Sequence, residues 1–252
     1  MWCFRTRLPS NYEEQTYANP YFVVRYPHQV RFRVAVDAMV KAQPARLLDY
    51  GAGDGHLLVE AVRKGLETER ITVYEPVEEF SRQLLEKIAE HDLVDRVRLV
   101  TERSELKHEA FDYISCLGVL EHMPLPERQA FYDTCEATLS PVGEILIDVP
   151  VEIGPSLLIK NLGRLFLKGR DREYESTELI RIAAGGTVYD PGRFDPSDQR
   201  TWIHHHKGFD YRLLRRELAY RFDVVAERTT PLATLPGPIG NQEIFFTVKR
   251  RA

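Results

Sequence analysis

Residues 47 to 55 read LLDYGAGDG. With Arg46 they form RLLDY, an apolar run short enough for a buried strand, which carries the acid Asp49 near its end. Glycines follow at 51, 53 and 55. Leu57, Leu58, Ala61, Val62 and Leu66 then share one side of a helix. Alternate glycines let the backbone turn tightly and approach a ligand closely. The helix start beyond them offers free N–H groups to a negative group, either a pyrophosphate or a carboxylate.

Spacing separates the candidate ligands. A triphosphate-binding loop needs a Lys followed by Ser or Thr, and this loop continues as HLL. A dinucleotide fingerprint is GxGxxG; here the third glycine comes one position early. Glu75 closes the next strand, ITVYE, 24 residues after Gly51, where a carboxylate accepts from two ribose hydroxyls.

The pattern continues outward. Pro76 opens a helix to His91 with Val77, Phe80, Leu84, Leu85 and Ile88 on one side. Strands are expected at 97–100, 111–119 and 144–149, with a helix from Pro126 to Leu139 before the last. Apolar strands alternating with helices imply a mostly parallel sheet covered on both faces. Residues 28–42 read as a helix broken by Pro44. After Gly208 come a helix at 209–220 and strands at 222–227 and 242–249. The final connection holds Pro231, Pro236 and Pro238 and leaves little room for a helical crossover, so the last pair is antiparallel.

The expected fold is α/β: a Rossmann-like, seven-stranded, mostly parallel sheet with the last strand antiparallel, helices on both faces and a helical/loop insertion after strand five. One domain spans 1–252. It comprises an N-terminal arm and helix (1–45), a cofactor-binding core (46–150), an insertion or lid (151–207), and a C-terminal helix and strand pair (208–252).

Composition bounds the function. Against 34 Lys and Arg stand 38 Asp and Glu, a formal net charge of -4, which argues against a nucleic-acid partner. Cys3, Cys116 and Cys135 make no paired framework and suit a reducing compartment. No apolar run reaches membrane-spanning length. These features suggest a soluble, cytoplasmic protein; a monomer or homodimer is expected. Leu157, Leu158, Ile159, Leu162, Leu165, Phe166 and Leu167 are read as cover for the sheet rather than as a peripheral membrane contact. Arg164, Lys168, Arg170 and Arg172 are diluted by neighbouring acids and read as a solvated face.

LLDYGAGDG resembles the first motif of class I S-adenosylmethionine-dependent methyltransferases. VYEP at 73–76, FDYISCLGVLEHMP at 111–124 and LSPVGEILIDVP at 139–150 fit the same family, and VLEHMP resembles its small-molecule branch (type 11/12-like). The likeness covers about 46–150, and the tail from Gly208 matches more loosely. It implies S-adenosylmethionine as cofactor. Asp49 and the backbone of Gly51, Ala52 and Gly53 would surround its methionine part, and Gly55 would allow close packing at the helix start. Glu75 would take the ribose hydroxyls and Pro76 would lie near the adenine. Either Glu102 or, one residue on, Arg103 would meet the adenine amine. Leu117 and Gly118 would line the cleft.

On the acceptor side, His122 can take a proton near neutrality or position the substrate, or with Glu121 merely fix the loop. His204, His205 and His206 cannot all point one way, so the run is a poor metal site by itself; a site with distant carboxylates stays open, but without a Cys cluster or HExxH no metal is expected. One of them, His205, is the candidate to reach the substrate. Tyr12, Tyr17, Tyr21, Phe22 and Tyr26, with Arg25, His28 and Arg31, read as an arm that either closes over the site or packs on the first helix. Two other readings stay open: a nicotinamide-dinucleotide oxidoreductase, and a catalytically silent binding protein on the same fold.

Overall fold

A computed structural model describes residues 22–158, 174–188, 202–203, 205–235 and 237–251. The arm residues Tyr12, Tyr17 and Tyr21, the basic cluster at 164–172, the apolar run from 159 and His204 lie outside them.

In chain order the elements are α1 (Phe22–Ala42), β1 (Arg46–Tyr50), α2 (His56–Arg63), β2 (Arg70–Tyr74), α3 (Glu78–Glu90) and β3 (Val97–Val100). Next come β4 (Phe111–Leu117), α4 (Leu125–Thr138) and β5 (Leu139–Pro150). Short 3-10 turns at Arg103–Leu106 and Leu120–His122 flank β4. Helix α5 (Ser176–Ala183) lies in the insertion, and α6 (Tyr211–Arg221), β6 (Phe222–Thr230) and β7 (Glu243–Arg250) close the fold.

The seven strands run in the order β3-β2-β1-β4-β5-β7-β6. Pairing is parallel from β3 across to β5, and β7 is antiparallel to both β5 and β6. Successive side chains on a strand face opposite sides, so each strand feeds two apolar layers. Leu48, Ile114, Ile145 and Ile147 join Phe131, Tyr132 and Leu214 in one layer. Leu47, Tyr113, Leu146 and Phe245 join Val36, Met39 and Leu58 in the other. The expected topology is the one observed.

Three boundary differences have a clear physical cause. Helix α1 starts at Phe22 rather than at 28 and carries Pro27 inside, which forfeits one bond without ending the helix. Pro76 precedes α3 rather than opening it, since the helix starts at Glu78. Strand β5 begins at Leu139 and not Glu144. Leu139 pairs with Phe111, and a register shift between Phe111 and Tyr113 absorbs the Ser140–Gly143 stretch that reads as a turn. Helix α5 supplies the helix expected in the insertion and is fixed by a capping box between Glu175 and Glu178.

This topology sets the site. Strand order reverses between β1 and β4, and ligands of open parallel sheets sit beyond the carboxyl ends at such a point. Asp49, Glu75, Leu117 and Asp148 all lie at that edge. Backbone bonds tie the edge together: Gly51 N donates to Tyr74 O at 2.8 Å and Gly118 N to Asp148 O at 3.0 Å.

Candidate active site

The glycine loop is built around two buried carboxylates. Asp49 is 3% exposed, and its Oδ1 accepts from Ser115 Oγ on the neighbouring strand at 2.7 Å. Its Oδ2 is buried and accepts no hydrogen bond among the described residues. Burial pushes the Asp49 carboxyl up to about 6; the Ser115 bond opposes this and the Glu75 charge adds to it. Glu75 reaches across the loop. Its Oε2 accepts from Gly53 N at 2.8 Å and its Oε1 from Val77 N at 3.0 Å. Burial raises its carboxyl too, against the pull of those two bonds. A carboxylate has about four lone-pair sites, so two remain for a ligand.

The backbone conformation explains the glycines. Gly53 has φ 58 with open space where a side chain would stand, so its backbone is accessible from the cleft. At Gly55, a Cβ would come within 3.2 Å of Leu84 on α3, so α2 and α3 pack tightly only with glycine here. Asp54 is turned to the helix instead, accepting from His56 N at 3.1 Å and pairing with Lys87 at 2.7 Å.

The remaining expected cofactor residues line the same edge. Ala52, Leu117 and Gly118 are partly exposed; Pro76 and Glu102 are exposed. Arg103 turns away: its Nε donates to Tyr50 Oη at 3.0 Å and its guanidinium pairs with Glu127. Arg31 crosses from α1 to pair with the buried Asp148, and a side chain at Gly118 would run into its guanidinium. A depression between α4 and the 103–106 turn shares only Arg103 with this set and holds none of the loop residues.

A second group stands at the ends of β4 and β5. Glu121 is buried and His122 partly so. Ile203 grips His122 twice: its N donates to the His122 carbonyl at 2.7 Å, and its own carbonyl lies 2.7 Å from His122 Nδ1. Trp202 stacks on the His122 ring at 4.7 Å. His206 Nε2 stands 3.4 Å from His122 Nε2, and His206 Nδ1 stands 3.3 Å from Oε1 of the buried Glu152. The histidine that reaches His122 is therefore His206; His205 is exposed. The sequence holds no Cys cluster and no HExxH, and the 204–206 run cannot form a three-ligand site by itself. Folding brings one member of that run to Glu121 and His122, with ligand atoms within 4.8 Å of one another.

Sequence reasoning missed Asp148, Glu152, Trp202 and Ile203. Asp148 and Glu152 flank the end of a strand it had placed, so acids at a strand's carboxyl end were a usable signal. Trp202 and Ile203 carried no such signal.

Residues 26–212 match a family described as a methyltransferase domain. A ubiquinone biosynthesis O-methyltransferase of Salmonella paratyphi A is 27% identical over 161 residues, covering 63% of this chain and 59% of that protein. The chain thus spans under two thirds of the length of the curated relatives it matches. The PH0226 protein of Pyrococcus horikoshii aligns at a TM-score of 0.60 with 13% identity, over 95% of this chain and 96% of that one. A 1,6-didemethyltoxoflavin-N1-methyltransferase of Burkholderia thailandensis aligns at 0.53 with 21% identity, over 88% and 79%. No helix among the described residues is long and apolar enough to cross a membrane.

Proposed function

This chain belongs to the methyltransferase domain family, the class I S-adenosylmethionine-dependent enzymes, and from that premise we propose that it methylates a hydroxyl of a small molecule. A sugar, a lipid-linked saccharide or a secondary metabolite is the acceptor class. Its cofactor is S-adenosylmethionine, which when bound supplies an electrophilic methyl group on a sulfonium.

The observation that carries the reading is Asp49 Oδ2, a buried acceptor without a hydrogen bond beside an open glycine loop. Such an atom calls for a donor or a positive charge. The cofactor's methionine part offers an ammonium and the adjoining sulfonium. Glu75 has lone pairs left for ribose hydroxyls. Glu102 and Pro76 flank the adenine position; Arg103 is occupied with Tyr50 and Glu127. Leu117 and Gly118 wall the cleft, and Arg31 closes it from α1.

The same carboxylates argue against a dinucleotide. A pyrophosphate wants the loop's N–H groups, and Gly53 N already donates to Glu75. Two buried carboxyls also repel a dianion.

The acceptor lies against Glu121, His122 and His206, beside Glu152, and its hydroxyl loses its proton at that cluster. Alignment of oxygen and methyl in a closed site supplies most of the acceleration. His205 stands at the exposed rim. The Salmonella relative is an O-methyltransferase, which supports an oxygen acceptor.

Calorimetry with S-adenosylmethionine, its demethylated product and NAD tests the cofactor; labelled-methyl transfer to a panel of hydroxylated acceptors tests the chemistry. We expect dissociation constants of about 1–100 μM for the first two and no heat with NAD. Tighter binding of NAD would end this reading.

A further inference from the structure

We propose that Glu121, His122 and His206 hold a divalent first-row cation of the zinc class, with Glu152 and the Ile203 carbonyl as its outer supports. The metal assignment stands on geometry alone; its part in catalysis rests on the oxygen-methylation reading above.

The imidazoles decide the matter. A carbonyl oxygen only accepts, so at 2.7 Å the Ile203 carbonyl requires a proton on His122 Nδ1. A carboxylate likewise calls for a proton on His206 Nδ1, 3.3 Å away. In the neutral rings both Nε2 atoms then carry lone pairs, and they face each other at 3.4 Å. The Glu121 carboxylate adds negative charge, with Oε1 at 3.9 Å from His122 Nε2. Three electron-rich atoms converge within 4.8 Å of one another, a grouping that one cation can bridge.

A shared proton is one answer, but 3.4 Å is beyond the roughly 3.2 Å reach of a good N–H hydrogen bond. A cation fits better. Two nitrogens bound tetrahedrally to zinc at about 2.0–2.1 Å stand about 3.3 Å apart. Two imidazoles and a carboxylate suit zinc or its first-row neighbours over magnesium or calcium, which prefer all-oxygen sites. Zinc-bound histidines usually hand their other ring nitrogen to a carboxylate or a backbone carbonyl, and here one does each. Three protein ligands leave a position open, as catalytic zinc sites do.

The open position gives the acceptor its place. A hydroxyl oxygen bound there loses its proton to solvent more readily. The oxygen then forms its bond to the methyl carbon as the carbon–sulfur bond breaks. The products are the methyl ether, S-adenosylhomocysteine and one proton, and the cation is unchanged. The substrate class is thus an alcohol or phenol whose oxygen can ligate the metal.

Cobalt(II) is the probe, because its visible bands report coordination without any turnover. The chelator-treated full chain is titrated with cobalt(II) and competed with zinc(II), and S-adenosylhomocysteine binding is measured separately on the metal-free protein. We expect one equivalent of cobalt and visible bands of four- or five-coordinate cobalt. His206→Ala is expected to weaken binding roughly 100-fold or more, and Glu152→Gln roughly 10-fold. The His206→Gln variant, which keeps the side chain's bulk, guards against a folding artefact, with circular dichroism as the check. Asp49→Asn should leave the cobalt spectrum unchanged. Failure to bind cobalt or zinc below millimolar concentration, or equal binding by folded His206→Gln, overturns the metal site. Loss of S-adenosylhomocysteine binding with the spectrum intact would overturn the cofactor reading instead.

Discussion

The two halves of the site are made in opposite ways. On the cofactor side, nine consecutive residues, 47–55, plus Glu75 provide nearly everything; the bond from Gly53 to Glu75 spans 22 residues, and the main outside support is Ser115, which donates to Asp49. On the acceptor side, His122 meets residues 81 and 84 positions further along the chain. A strand-turn-helix fixes the first; only the completed sheet fixes the second. Substitutions on the two sides should therefore fail differently: one in cofactor affinity, the other in turnover.

The largest expected effect is on the acceptor side. His122→Ala removes a ring held by Ile203, Trp202 and His206 together. We expect kcat to fall by roughly 10²–10⁴-fold while S-adenosylmethionine affinity changes less than about threefold. Parallel steady-state kinetics and calorimetry measure both. A full loss of cofactor binding would erase the distinction between the two sides.

Next is Glu75→Ala. It removes the ribose acceptor and also the bonds from Gly53 N and Val77 N that shape the loop. Cofactor affinity should drop roughly 100-fold, matching the loss of two hydrogen bonds to a charged group. Unchanged binding would take Glu75 out of the cofactor's contacts.

Asp49 gives an effect of opposite signs. Burial raises its carboxyl from 3.8 to about 6, so the folded chain holds this proton where the unfolded chain releases it. The resulting penalty is absent below about 3.8, grows with rising pH and is complete above about 6. Asp49→Asn removes that penalty while keeping an oxygen for Ser115. At pH 7.5 the cofactor-free variant should be more stable by roughly 1–3 kcal/mol, yet bind S-adenosylmethionine at least about tenfold more weakly. In the unsubstituted protein, affinity for the cationic cofactor should fall as pH drops through about 6 and Asp49 is protonated. Chemical denaturation and calorimetry across pH 5–8 test both signs. A destabilised Asn variant would mean that the carboxylate is satisfied without ligand.

How much of this was legible follows from the same contrast. The sheet, the glycine loop and the two carboxylates were readable because strand, turn and helix signals are local. The extension of β5 through Pro141 was not, since a register shift against Phe111 hides a strand under turn residues. Nor was the choice of His206 over its neighbours. Adjacent residues differ in direction, and which one faces inward depends on how 202–203 pairs with His122 across 81 residues. Arg31 was visible only as one of several arm cations; its closure over Gly118 needs α1 docked on the sheet.

The smallest expected effect tests whether the loop's rigidity, rather than its carboxylates, holds the cofactor. Asp54 lies inside the motif but faces away, accepting from His56 N and pairing with Lys87 on α3. Asp54→Ala should cost about 1 kcal/mol of stability, as the loss of a helix-start acceptor does. Its pair with Lys87 is partly exposed on both sides and adds little. Because Gly53 N stays fixed by Glu75, S-adenosylmethionine affinity should change by less than about threefold. If Asp54→Ala weakened binding as severely as Glu75→Ala, the loop's shape would be set from the helix side. Asp49 and Glu75 would then serve the fold first and the ligand only through it.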